Sequence, residues 1–399
     1  MKLSQFSLLV ISLLFILSPV IFFPPSETLN IYLQEGQALF QGNSPSTENL
    51  SELSILSTAL YGALGFIAGS NLFIFRTLEC IIHLLTSIAL FFFIKKYFSK
   101  STAVLSSIVY AMSIVLLNYK FSFQIEPLAN ILLLALMALH MNNSDASIQS
   151  GREANSNWNH LIGFALEGII LGIMISLKSG FGIMIIGIFA FDIIHLQKSW
   201  KILSKQYAAI FFGIVLFIGS HIILLNIIGY PHILANIFPI YNLPHISFAF
   251  IRDFLKDFAK FSTNTYSIFF VIALCFSLIN WINNIDVAAH NSISNRQSNL
   301  FAIAFYFAMS IILGFGLTQH FEMYHFASLF IPFSIFIANG LELIFKKSIN
   351  LWRSSSIYYR GVILICAIFL LAFSPIFFWV YYMQYPFIYL IFSNYAVLL

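Results

Sequence analysis

The chain has 399 residues, 60% of them hydrophobic and only 9% charged, against roughly 25% charged in an ordinary soluble domain. Apolar runs long enough to cross roughly 30 Å of hydrocarbon recur from end to end, which excludes a soluble protein and leaves no stretch large enough for a separate soluble domain. The net charge of +4 is too small to imply a nucleic-acid partner, and the surface such a chain offers is one for membrane lipids.

Lys2 precedes an apolar run at 6–23 that has no small-residue cleavage site near Pro24, so it reads as an uncleaved anchor. Further spans are expected at 71–94, 101–118, 126–141, 160–177, 180–197, 207–229, 265–284, 300–318, 325–345 and 361–383. The fold class is therefore an all-α polytopic membrane protein of about eleven transmembrane helices, forming a single integral membrane domain over 1–399. With the N-terminus cytoplasmic, 13 Lys and Arg residues fall inside and 6 outside (Arg76, Lys120, Lys178, Arg252, Lys256 and Lys260), as the positive-inside bias requires.

Three loops stand out. The first outer loop, 24–70, places Leu29, Tyr32, Leu33, Gly36, Leu39 and Phe40 at helical spacing, and amphipathic helices on or in the outer membrane surface are expected there. A second outer loop, 230–264, is rich in proline and then in charge, and the inner loop 142–159 reads as a flexible Asn- and Ser-rich connector. Cys80, Cys275 and Cys366 all lie in apolar runs, form no motif and read as small buried hydrophobes.

The chemistry-bearing residues gather on the outer side. Glu27 follows Pro24-Pro25-Ser26, where a carboxylate can take a proton from an acceptor hydroxyl or amine; the plainer reading is a first-turn acid favoured by the helix dipole. Glu126, before Pro127, opens the fourth span and is a second catalytic candidate, or a metal or substrate ligand, or again a helix-start acid. Arg76 and Lys178 are outer cations suited to a phosphate, although Arg76 could snorkel to the interface or pair with Glu79 three residues on, and Lys178 could be a turn lysine. His320, Glu322, Tyr324 and His325 form a polar cluster between the ninth and tenth spans that could hold a divalent metal, contact a sugar or phosphate, or be a plain turn. Glu167 and Asp192 lie within spans with no role assigned, and His83 and His221 read as packing residues. Two same-side carboxylates at a membrane surface point to an enzyme acting on a lipid-linked substrate.

Taken in order, these positions resemble the membrane C-type glycosyltransferases, in particular the protein mannosyltransferase and aminoarabinose transferase branch. The likeness rests on Ser26-Glu27 followed by Tyr32, Ala38, Leu39 and Gly42, on Tyr61, Gly69 and Arg76, on Glu126-Pro127, and on Gly168 to Gly172 leading to Leu177-Lys178. A late segment from Tyr324-His325 to Pro332 is similar to the family's aromatic-His helix. Ser26 stands where the family carries the first of two acids. The resemblance implies inverting transfer of a sugar from a polyprenyl-phosphate donor to a lipid, glycan or protein acceptor on the outer face of a bacterial inner membrane. It implies Glu27 as base, Glu126 as the second acid, Arg76 and Lys178 on the donor phosphate, and Tyr61, Tyr324 and His325 at the acceptor or cavity wall. The alternatives are a transporter or flippase for a lipid-linked sugar, an O-antigen-type polymerase, and an inactive relative of the same fold.

Overall fold

The computed structural model describes residues 3–23, 27–41, 55–68, 71–118, 124–149, 158–196, 198–228, 268–283, 292–316 and 323–354, together with Arg252 and Lys256. Among these residues every regular element is helical. The elements are α1 (Leu3–Leu17), α2 (Glu27–Phe40), α3 (Ile55–Ala68), α4 (Leu72–Lys95), α5 (Lys100–Asn118), α6 (Ile125–Gln149) and α7 (Trp158–Leu177). They continue with α8 (Met184–Ala190), α9 (Trp200–Ile228), α10 (Ile268–Asn283), α11 (Ser292–Gly316) and α12 (Phe330–Ser354). Tight 3₁₀ turns lead into α8 (Ser179–Ile183) and α12 (Met323–Leu329), and a π turn, Phe191–His195, closes α8.

Seven helical segments among the described residues are long and apolar enough to cross a membrane: Ser4–Phe22, Phe73–Lys95, Lys100–Leu117, Ile125–Ser144, Trp200–Leu224, Arg296–Gly314 and Phe326–Asn350. The expected spans at 160–177, 180–197 and 265–284 are present as shorter apolar helices, Leu161–Leu177, Gly180–His195 and Val271–Asn283. The expected span at 361–383 and nearly all of the loop 230–264 lie outside the described residues, as do residues 150–157 of the inner loop 142–159. Within that inner loop α6 continues to Gln149, and α7 already begins at Trp158.

The inward faces of the long helices form one large apolar core that includes Leu90, Phe91, Ile114, Leu133, Met137, Phe307 and Ile337. The outward faces are equally apolar, with Phe211, Phe212, Leu216 and Ile223 of α9 exposed as a lipid-facing helix demands. Between helices in lipid there is little hydrophobic drive, so small residues govern close approach. Gly168 of α7 meets Gly213 of α9, and a methyl group on either would collide with a carbonyl oxygen of the other helix, that of Ile210 or Ala165.

Helices α2 and α3 are 14 residues each, about 21 Å long. That is too short for either to span, and the two pair with each other. Gly36 lies against the backbone of Gly62, where a side chain on Gly36 has no room. Their inner faces carry Tyr32, Tyr61 and Ala68 onto Phe75, Ile125, Leu128 and Leu177, a small apolar cluster apart from the main core. α2 and α3 therefore roof the end of the bundle at which α4 and α6 begin and α7 ends.

Candidate functional site

Beneath the roof lie four charged side chains from two helices and the turn after α7, three of them buried and the fourth, Lys178, half-buried. The start of α4 is set by Asn71, whose side-chain oxygen accepts from the amides of Phe73 (3.0 Å) and Ile74 (3.4 Å). One turn further on, Arg76 donates from Nη1 to Oε2 of Glu79 at 2.9 Å. Arg76 is 2% exposed and Glu79 is fully buried, so Arg76 does not snorkel to the interface. Its pairing with Glu79 is the i, i+3 partnership visible in the sequence.

Glu126 lies in the first turn of α6 and is 1% exposed. Its carboxylate forms an ion pair with Lys178, whose side chain is the more open of the two at 16% exposure. Lys178 occupies an extended position between α7 and the 3₁₀ turn at Ser179–Ile183, its amide donating to the Met174 carbonyl at 2.9 Å. Two bonds pin this corner. Ser57 of α3 donates to the Leu177 carbonyl at 2.7 Å, tying the roof to the residue before Lys178. Ser328 donates to the Glu126 carbonyl at 3.4 Å, bringing the turn that carries Tyr324 and His325 against the start of α6.

Tyr61 is buried beside Tyr32, their ring centroids 5.0 Å apart. Burial, then Tyr32, then the charges of Glu126 and Glu79 hold the Tyr61 phenol well above its ordinary range. It is therefore a neutral hydroxyl within electrostatic reach of both carboxylates. The roofed site thus offers two cations, two carboxylates and a phenol in a low-dielectric enclosure. Such an arrangement can hold an anion and place a carboxylate against a hydroxyl.

The structure brings Tyr61, Arg76, Glu126 and Lys178 to one end of the bundle, the same end as the backbone of Glu27 at the start of α2 and of Tyr324 and His325 in their 3₁₀ turn. The side chains of Glu27, Tyr324 and His325 lie outside what is described, as do His320 and Glu322 entirely. Among the described residues no group of three or more His, Cys, Asp or Glu side chains is placed to hold a metal ion.

At the opposite end lies a second buried polar group that sequence reasoning left without a role. His140 of α6 faces Glu167 of α7 through Nδ1 (2.8 Å) and Asp192 of the π turn through Nε2 (3.2 Å). Asp192 also takes the ammonium of Lys198 (2.6 Å) and the hydroxyl of Tyr207 of α9 (3.1 Å). Asn143 donates to Glu167 at 2.6 Å, while Ser144 and Gln206 each lie 3.2 Å from the Lys198 ammonium. With both ring nitrogens of His140 protonated, the two cations and two carboxylates balance. The signal in the sequence was the presence of ionisable residues within spans at all; His140, 27 positions from Glu167 and 52 from Asp192, is brought to them by packing. His83, read as a packing residue, bonds the Tyr110 hydroxyl at 3.2 Å through Nδ1, and its Nε2 makes no bond among the described residues.

A family model described as dolichyl-phosphate-mannose-protein mannosyltransferase matches residues 58–223, a stretch that contains Tyr61, Arg76, Glu126 and Lys178. No curated protein matches the chain. Among solved structures, ArnT from Cupriavidus metallidurans bound to undecaprenyl phosphate superposes with a TM-score of 0.59 at 11% identity, over 98% of this chain and 70% of that one. The archaeal oligosaccharyltransferase AglB from Archaeoglobus fulgidus, in complex with an inhibitory peptide and a dolichol-phosphate, superposes with a TM-score of 0.54 at 14% identity. That match covers 96% of this chain and 56% of AglB. The chain is an all-α polytopic membrane protein with the fold of the membrane C-type glycosyltransferases, the resemblance read from its sequence.

Proposed function

We propose that this protein is a glycosyltransferase that moves a sugar from a polyprenyl-phosphate donor to a lipid, glycan or protein acceptor on the outer face of a bacterial inner membrane. The observation that carries this reading is the gathering of two ion pairs, Arg76 with Glu79 and Glu126 with the half-buried Lys178, under a helical roof at one end of the bundle. The match of 58–223 to a mannosyltransferase family model supports it, as does a fold shared with structures that hold undecaprenyl phosphate and dolichol-phosphate.

In this reading Glu27 takes the proton of an acceptor hydroxyl, and the acceptor oxygen attacks the anomeric carbon from the face opposite the phosphate. The bond from the anomeric carbon to the phosphate oxygen breaks with its electron pair, leaving a polyprenyl monophosphate and a sugar of inverted configuration. Negative charge grows on the leaving phosphate, where Arg76 and Lys178 stabilise it in an enclosure that weakens screening. Tyr61, Tyr324 and His325 line the acceptor side, and His320 and Glu322 are the residues that would hold a divalent metal if the reaction uses one. The lipid tail stays in the bilayer throughout, which is why such chemistry needs a membrane-embedded site.

The test is transfer from a panel of radiolabelled polyprenyl-phosphate sugars by purified protein, wild type beside Glu27→Gln. Label reaching an acceptor with the wild type and not with the variant is the expected result. Turnover by Glu27→Gln at the wild-type rate would remove Glu27 as the base. A folded wild type that transfers from no donor would favour a transporter of lipid-linked sugars or an inactive relative.

A further inference from the structure

Both cations proposed for the donor phosphate already hold carboxylates. Arg76 is bound to Glu79, and Lys178 to Glu126. A cation this deep in a membrane protein is costly without an anion beside it, so in the absence of donor some group must fill that place. We infer that Glu126 is the resting counter-ion of Lys178 and that the donor phosphate displaces it, so that donor binding itself releases Glu126 into the site. This rests on the donor reading given above.

The four groups differ in their freedom to change partners. Glu79 and Arg76 lie one turn apart on one rigid helix and are sealed from solvent. Lys178 is different. Its backbone is gripped, by its own amide bond to Met174 and by Ser57 on the neighbouring carbonyl, while its side chain is the most open of the four. A lysine ammonium is a compact charge on a flexible stem with three rotatable donors, suited to leaving one oxygen for another without moving the chain. Glu126 sits in the first turn of α6, where the helix dipole supports its charge after Lys178 departs. At rest each of the two cations thus already holds a carboxylate. Phosphate must therefore take cations from partners they already have, and the intrinsic affinity is reduced by the fraction of protein in which they are engaged.

The consequence has a distinctive sign. Removing a merely structural carboxylate weakens ligand binding, whereas removing a competitor strengthens it. The probe is a short-chain polyprenyl phosphate without sugar, titrated into detergent-purified full-length protein and followed by calorimetry. Glu126→Gln is expected to bind it about tenfold more tightly than wild type, while transferring sugar more slowly. The gain should vanish in the Glu126→Gln, Lys178→Gln double variant, which has no Lys178 ammonium left to release. Should Glu126→Gln fail to fold, Glu126→Asp keeps the charge on a shorter arm, slackens the pair and should shift affinity in the same direction. Equal or weaker binding by a folded Glu126 variant overturns the displacement and leaves the donor reading standing. A folded wild type that binds no polyprenyl phosphate at millimolar concentration overturns the donor reading itself, and the displacement with it.

Discussion

Arg76 and Glu79 illustrate how differently a buried pair responds to loss of one member and of both. Removing Arg76 alone leaves Glu79 charged and fully enclosed, a change that typically costs about 3–5 kcal/mol. Replacing both by apolar residues of similar volume is often close to neutral. We therefore expect Arg76→Met to lower the unfolding temperature in detergent clearly, and Arg76→Met with Glu79→Met to recover most of the loss without recovering binding of polyprenyl phosphate. A double variant as unstable as the single one would show that Arg76 holds the bundle through other contacts. This pair could be read in the sequence because three residues on one helix fix the geometry. The partnership of Glu126 with Lys178 could not, since 52 positions separate them and only the return of α7 to the start of α6 brings them together. Their common side was visible even so, because the alternation of spans puts every second connection on one face.

The roof and the α7–α9 contact depend on glycines rather than on charge. Gly36 in α2 has the backbone of Gly62 where its side chain would be, so Gly36→Val must push α2 off α3. Since α2 begins at Glu27, the expected outcome is loss of transfer with the melting temperature of the bundle nearly unchanged. A variant with normal turnover would mean that the roof's spacing is immaterial. Gly168→Leu should behave oppositely, separating α7 from α9 and lowering thermal stability by several degrees or preventing folding. The helical repeat of apolar residues in 24–70 announced a helix, but close packing of one glycine on another 26 positions away leaves no trace in hydropathy. The π turn at Phe191–His195 was equally hidden. One extra residue in a turn is invisible to composition, yet it delivers Asp192 to His140 and Tyr207.

Length and hydropathy were enough to place the bundle, because a span needs about 20 apolar residues whatever its neighbours are. They were least informative where the segments run short, at Leu161–Leu177 and Gly180–His195, and these are the segments that carry the ionic network with His140. That network has a consequence for how the molecule can move. Helix α6 is fastened near one end through Glu126 and near the other through His140, and α7 through Lys178 just past its terminus and Glu167 within it. Two struts bolted together at two separate points form a stiff frame that resists sliding and twisting. Whatever shape change accompanies a substrate must then be taken up outside that frame, by side chains and by the roof resting on it. Amide hydrogen exchange on adding polyprenyl phosphate should accordingly alter protection in α2 and α3 and leave the centres of α6 and α7 as they were. Exchange quickening along α6 and α7 would mean that the frame itself flexes. The protein would then work less like a lidded vessel than like a hinge.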